Sequence, residues 1–182
     1  KYDNSGNVLW AKSAGGASYD IVNNIKTDAN NNVCITGSFR SSTITFGSIT
    51  LTSPGVEDIF VVKYDDSGNM LWAKSAGGSA IEVGFDVTTD AIGNIYVTGG
   101  FRSTTITFGS WTLSNVGGAD IFVVKYDGLG NVLWAKSVAG NADDWGRGVI
   151  ADANDNVYIT GNFASSSIIF GPDTLINVNA VS

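Results

Sequence analysis

The chain has 182 residues, enough to bury a sizeable core, and 43% of them are hydrophobic, which excludes a disordered polymer. A net charge of −7 sets it against phosphate backbones and anionic membrane surfaces, and no apolar run reaches the roughly 18 residues that span a bilayer. Histidine is absent, which removes the commonest general base, Ser-His-Asp catalysis and His-ligated metal sites together.

One phrase returns three times without insertion or deletion: KYDNSGNVLWAKSAGG from Lys1, KYDDSGNMLWAKSAGG from Lys63 and KYDGLGNVLWAKSVAG from Lys125, a period of 62 residues. A unit repeated at fixed spacing must bury its apolar face against its neighbours, so the register speaks for architecture. The units run 1–62, 63–124 and 125–182, the last incomplete.

Taken in order, the elements of a unit read as strands. DIFVVKYD, from Asp120 to Asp127, alternates Phe122, Val124 and Tyr126 with Ile121, Val123 and Lys125, the period of a strand. After a turn such as Gly68-Asn69, MLWAKSAG places Met70, Trp72 and Lys74 opposite Leu71, Ala73 and Ser75, which makes the two segments a hairpin. Val83, Phe85 and Val87 carry a third strand, and the turn from Asp90 to Asn94 leads to a fourth, Ile95 to Gly99. Thr105 to Phe108 and Trp111 to Ser114 then form an added hairpin through Gly109-Ser110.

No stretch of ten residues has a sustained helical period. The predicted fold is all-β: a β-propeller-like repeat array of three units, each a four-stranded antiparallel meander plus an extra hairpin.

The phrases GN-x-LWAKS, TDAIGNIYVTGGF and ADIFVVKYD resemble the bacterial SBBP repeat, a family named for a proposed seven-bladed β-propeller. The pattern D-x-x-[GDN]-N-[VI]-[YC]-[VI]-T-G recurs from Asp28 to Gly37, Asp90 to Gly99 and Asp152 to Gly161, so the resemblance covers nearly the whole chain. It implies a secreted or cell-surface bacterial protein with many repeats, and it brings no catalytic residues with it. A closed propeller takes about 4 to 8 blades, so three units imply further blades or further copies. Unit one opens at KYD without a preceding DIFVV, and Ser182 matches the position of Asp120. That phase predicts a segment of a longer protein, with an unfinished strand edge between Ser182 and Lys1 open to strand addition.

Residues present in every unit read as framework. Trp10, Trp72 and Trp134 hold one place in the second strand and predict packing between blades, with the stems of Lys12, Lys74 and Lys136 over the rings. Gly37, Gly99 and Gly161 predict close strand approach, and Cys34, which stands where other units have Tyr96 and Tyr158, a core strand position. Asp28-x-Asn30-x-Asn32 and Asp152-x-Asn154-x-Asn156 copy the first half of a calcium loop but lack its Gly and distal Glu. They read as Asx turns, and no cofactor or metal is expected.

Divergent positions are the candidates for recognition. One connecting loop holds Ser18-Tyr19-Asp20, Ala80-Ile81-Glu82 and Ala142-Asp143-Asp144, and Trp145 and Arg147 follow in the third unit alone. Tyr19, Asp20, Glu82, Asp143, Asp144, Trp145 and Arg147 are therefore the candidate partner-contact residues. The expected function is a non-enzymatic extracellular or cell-surface scaffold or adhesion module, with a protein or glycan partner and further copies of the repeat. The alternatives are a lectin-like propeller with a sugar site in each unit and a hydrolase propeller using carboxylates.

Overall fold

The computed structural model describes residues 1–178, and within them the chain is strand and turn with no helix. The first sheet is built from β1 (Asp20–Thr27) and β2 (Val33–Phe39), a hairpin of β3 (Thr43–Phe46) and β4 (Ile49–Thr52), then β5 (Asp58–Tyr64) and β6 (Met70–Ala76). Its order is β1-β2-β5-β6, every neighbour antiparallel, with the β3–β4 hairpin as an excursion between its two central strands.

The next 62 residues repeat this plan. They comprise β7 (Glu82–Thr89), β8 (Ile95–Phe101), the hairpin β9 (Thr105–Phe108) and β10 (Trp111–Ser114), β11 (Asp120–Tyr126) and β12 (Val132–Val138). The third unit contributes a pair, β13 (Asp144–Ala151) with β14 (Val157–Phe163), and the hairpin β15 (Ser167–Phe170) with β16 (Asp173–Ile176).

The phase of the sheets differs from the units 1–62, 63–124 and 125–182. Sheets begin at Asp20, Glu82 and Asp144, while Lys63 and Lys125 fall inside β5 and β11. The four segments expected to form one meander instead pair two by two across a sheet boundary: β5 with β6 in one sheet, β7 with β8 in the next. The reason lies in burial. β5 and β8 are buried throughout, on both faces, as the central strands of a covered sheet are, and each has a strand on either edge. β8 finds it in β11, in unbroken register from Asp120↔Phe101 to Tyr126↔Ile95.

The sheets stack face to face. Cys34, Ile59 and Val61 of the first sheet pack against Val97, Phe122 and Val124 of the second, with Ile106 and Phe108 of the hairpin closing the same core. On the other face of the second sheet, Ile121 and Val138 meet Ile168 of β15. The first strands stand next to one another, β1 beside β7 and β7 beside β13. Side-chain bonds tie them, Asn23 Nδ2 donating to the Gly84 carbonyl at 2.9 Å and Val149 N–H to Asp86 Oδ2 at 2.7 Å, while Glu82 N–H at the start of β7 donates to the Glu57 carbonyl just before β5 at 2.8 Å.

Trp72 packs between the first and second sheets, Trp10 packs against the first sheet from the segment before it, and Trp134 meets Tyr96 within the second sheet. Trp72 Nε1 donates to the Gly128 carbonyl at 3.1 Å, on the outer turn of the second sheet, and Trp10 Nε1 to the Asp66 carbonyl at 3.0 Å on that of the first. Lys136 Nζ lies 5.9 Å from the ring of Trp111 on the neighbouring hairpin. The edge expected between Ser182 and Lys1 involves residues 179–182, which lie outside the described residues.

Each hairpin turn of the D-x-x-x-N kind is closed by its aspartate. Asp28 Oδ1 accepts the N–H groups of Asn30 and Asn32 at 2.9 and 3.0 Å, and its Oδ2 accepts Asn32 Nδ2 at 2.8 Å. The fourth position takes a positive φ, supplied by Gly93 at 88° in one unit and by Asn31 and Asp155 at 62° in the others.

Candidate functional site

The seven candidates divide. Asp20, Glu82 and Asp144 are the first residues of β1, β7 and β13, and each carboxylate pins the segment that enters its strand. Glu82 accepts the N–H of Gly78 at 2.8 Å and the hydroxyl of Ser103 at 2.6 Å, while Asp144 accepts the hydroxyl of Ser165 at 2.7 Å. Asp20 likewise accepts the N–H of Gly16 at 2.7 Å and the hydroxyl of Ser41 at 2.9 Å. Glu82 and Asp144 are wholly buried, so they hold the scaffold and present nothing to a partner. Tyr19 stands exposed just before β1, where its carbonyl accepts the N–H of Arg40 at 2.8 Å.

Asp143, Trp145 and Arg147 come together, and they do so around two residues of the second unit. Arg102 Nη2 donates to Asp143 Oδ2 at 2.6 Å, and its guanidinium carbon lies 5.5 Å from the centroid of Trp145. Phe85 meets Trp145 edge to face at 5.7 Å. Arg147 stacks over Phe85 at 4.2 Å and stands 5.8 Å from Trp145, while its Nε donates to Asn162 Oδ1 at 3.0 Å. Asp143 is itself held, its Oδ1 accepting the N–H of Ala119 at 2.9 Å.

A bulge produces this meeting. In each first strand the pairing skips one residue: between Val22 and Asn24, between Gly84 and Asp86, and between Gly146 and Gly148. The unpaired residues are Asn23, Phe85 and Arg147, and a bulge re-aims such a side chain. One backbone device thus carries three different side chains, and only the last two build a cluster. Phe85, Arg102 and Asn162 were missed in the sequence. Arg102 repeats as Arg40, yet Arg40 pairs with Glu57 Oε2 at 2.7 Å and Arg102 with the unrelated Asp143.

Between the sheets lies a second feature without a sequence signal. Asp58 is buried, its Oδ2 accepts the hydroxyl of Ser53 and the N–H of Gly55, and its Oδ1 has no hydrogen-bond partner among the described residues. Burial pushes its pKa up to about 6 against the Ser53 and Gly55 bonds, and the Glu82 carboxyl adds to the rise. Asp120 repeats the arrangement beside Asp144, with burial again raising its pKa.

The folded chain therefore keeps a proton on Asp58 up to about pH 6, while the unfolded chain releases it near 3.8. This group stabilises the fold below 3.8, and its contribution is lost as pH rises through about 6. Asp58→Asn keeps the shape without the titration. It is expected to flatten the fall in stability across that window, measured by urea unfolding at stepped pH, and an unchanged slope would count against it.

The opposite face of the first sheet carries an apolar cleft of about 270 Å³, lined by Trp10, Ile25, Val33, Ile35, Phe46 and Tyr64 among others. Val22 and Ile25 on this face are 54% and 63% exposed. Their counterparts one unit on, Gly84 and Val87, are buried under the first sheet, Val87 at 2%.

With the geometry in place, the class is plain: an all-β repeat protein whose antiparallel sheets stack in series. No family model matches the chain. It is 32% identical over 161 residues to an uncharacterized WD repeat-containing protein of Acanthamoeba polyphaga mimivirus, a match covering 80% of the chain and 12% of that protein. It is 25% identical over 114 residues to the regulatory protein FlaEY of Caulobacter vibrioides, covering 61% of the chain and 12% of the relative. The chain thus spans about 12% of the length of the curated relatives it matches.

Proposed function

We propose that the chain is part of a non-enzymatic β-propeller scaffold of the SBBP type, in an extracellular or cell-surface protein that meets protein partners. The first strands, β1, β7 and β13, run side by side in the manner of inner blade strands around an axis, and the similarity to a WD repeat-containing protein supports the same layout. The observation that carries the reading is the contrast between equivalent faces. Val87 and Val97 are buried by the preceding sheet, while Ile25 is exposed and Ile35 only half-buried at the same places of the first. A further 62-residue unit is the cover that this face is shaped for, because the molecule already makes that contact at two junctions, burying Val87 in one and Val149 in the other. The alternative of one sugar site per unit lacks support, since the arginine–aromatic cluster is built at one junction and its matching positions at the other are Asn23, Ile81 and Val83.

Sedimentation of the 182-residue polypeptide tests this. Concentration-dependent self-association is expected, with Ile25→Asp giving a monomer whose melting temperature stays within about 2 °C of the parent, because the side chain is exposed in the single chain. A polypeptide that is monomeric at every concentration would overturn the stacking surface.

A further inference from the structure

We infer that the cluster of Arg102, Trp145 and Arg147 binds carboxylates presented by an acidic polypeptide. The inference rests on the scaffold reading for the class of partner, a protein, while its geometry stands without it. Arg147 is exposed and already positioned: Phe85 supports the flat of its guanidinium and Asn162 takes its Nε. That bond is the one hydrogen bond of its guanidinium among the described residues, so both NH₂ groups are left to grip a carboxylate through two parallel bonds. A guanidinium fixed beforehand loses little freedom on binding.

Arg102 adds a second cation against the same indole, its side chain 41% exposed, and Asp143 balances one of the two charges. Of the two exposed guanidinium groups, that of Arg147 is therefore left without a carboxylate partner, on a chain whose net charge is −7. Asp143 also shows the chemistry the site prefers, because a carboxylate of the chain itself already occupies one guanidinium at 2.6 Å.

The aromatic rings point to a peptide carboxylate rather than a sugar. Stacking on a sugar needs an open ring face. Trp145 instead lies against the backbone of Gly100, where an added Cβ would meet its ring at 2.5 Å, and the face of Phe85 is covered by Arg147. What remains on offer is charge and hydrogen bonding. The bulge explains why the site is found at one junction, since at the other the place of Arg147 is taken by Phe85 and that of Phe85 by Asn23, whose side chain donates to the Gly84 carbonyl.

The test is biolayer interferometry of the full chain, in the Ile25→Asp background to remove self-association, over immobilised octaglutamate, octaglutamine and tetragalacturonate. Octaglutamate is expected to bind, weakening as salt is raised, and octaglutamine to fail. Arg147→Gln should weaken binding by about tenfold or more, and Arg147→Lys should restore only part of it, because an ammonium keeps the charge but loses the fork. Asp143→Asn, which releases Arg102 and keeps an oxygen for the Ala119 N–H, should tighten binding several-fold, a gain that a purely structural role would not give. Unchanged melting temperatures certify the fold of each variant. Equal binding of octaglutamate and octaglutamine, full binding by Arg147→Gln, or a preference for tetragalacturonate would each overturn the inference, and none of them would bear on the stacking of the sheets.

Discussion

Lys63→Ala is expected to lower stability by about 3 to 5 kcal/mol, the loss that follows when one partner of a buried ion pair is removed and the other stays behind. Lys63 Nζ lies 2.9 Å from Asp28 Oδ2, and the two side chains are 4% and 1% exposed. Burial pushes the Asp28 carboxyl up, but the bonds from Asn32, Lys63 and the turn N–H groups outweigh it and hold the group below its ordinary 3.8. Alanine would leave that carboxylate buried with its turn bonds and no cation. Asp28→Asn combined with Lys63→Met should recover most of the loss, since neither replacement carries charge; urea unfolding of the single and double variants measures the coupling. If Lys63→Ala costs under about 1 kcal/mol, the pair is not buried as described. Asp28 also sets the sign at the acid end: its lowered pKa gives stability that is present above 3.8 and lost as pH falls, opposite to Asp58.

The second large effect is expected at Gly99. A Cβ there would overlap the Val83 carbonyl oxygen and come within 2.8 Å of the Phe122 ring. The carbonyl is backbone, fixed by the bulge between Gly84 and Asp86, so it cannot turn aside. Gly99→Ala should cost about 3 kcal/mol or more, or abolish folding. Gly100→Ala is the matched comparison, because its Cβ meets the Trp145 ring, a side chain that can rotate away, and a loss of about 1 kcal/mol is expected. Equal costs at the two glycines would show that the bulge yields.

How much of this was legible follows from where the information resides. Strand content came through because DIFVVKYD and IYVTGGF are β-branched and apolar, and Gly37, Gly99 and Gly161 marked close approach correctly, each set against a carbonyl of the neighbouring first strand. The sheet boundary did not, because alternation shows that a segment is a strand and leaves its neighbours open. Burial of β5 and β8 on both faces settles that question, and only the packed structure displays it. The acid kept at Asp20, Glu82 and Asp144 resembled a functional loop residue, whereas its constancy reflects the serine it binds in each unit. Phe85 and Arg147 share a bulge position that has no signature in sequence, so their approach to 4.2 Å could not be foreseen.

The stacking of successive sheets is the claim on which the site and the proposed function both depend, and Cys34 reports on it directly. It is the only thiol, it is fully buried in the core between the first and second sheets, and burial pushes it up to about 12. Were the sheets not stacked, this side chain would face solvent from β2. Labelling of Cys34 by a maleimide across a urea series is therefore the decisive measurement. Stacking predicts that the native chain is inert and that the labelled fraction rises together with global unfolding; rapid labelling in the absence of urea, at the rate of the unfolded chain, would contradict it.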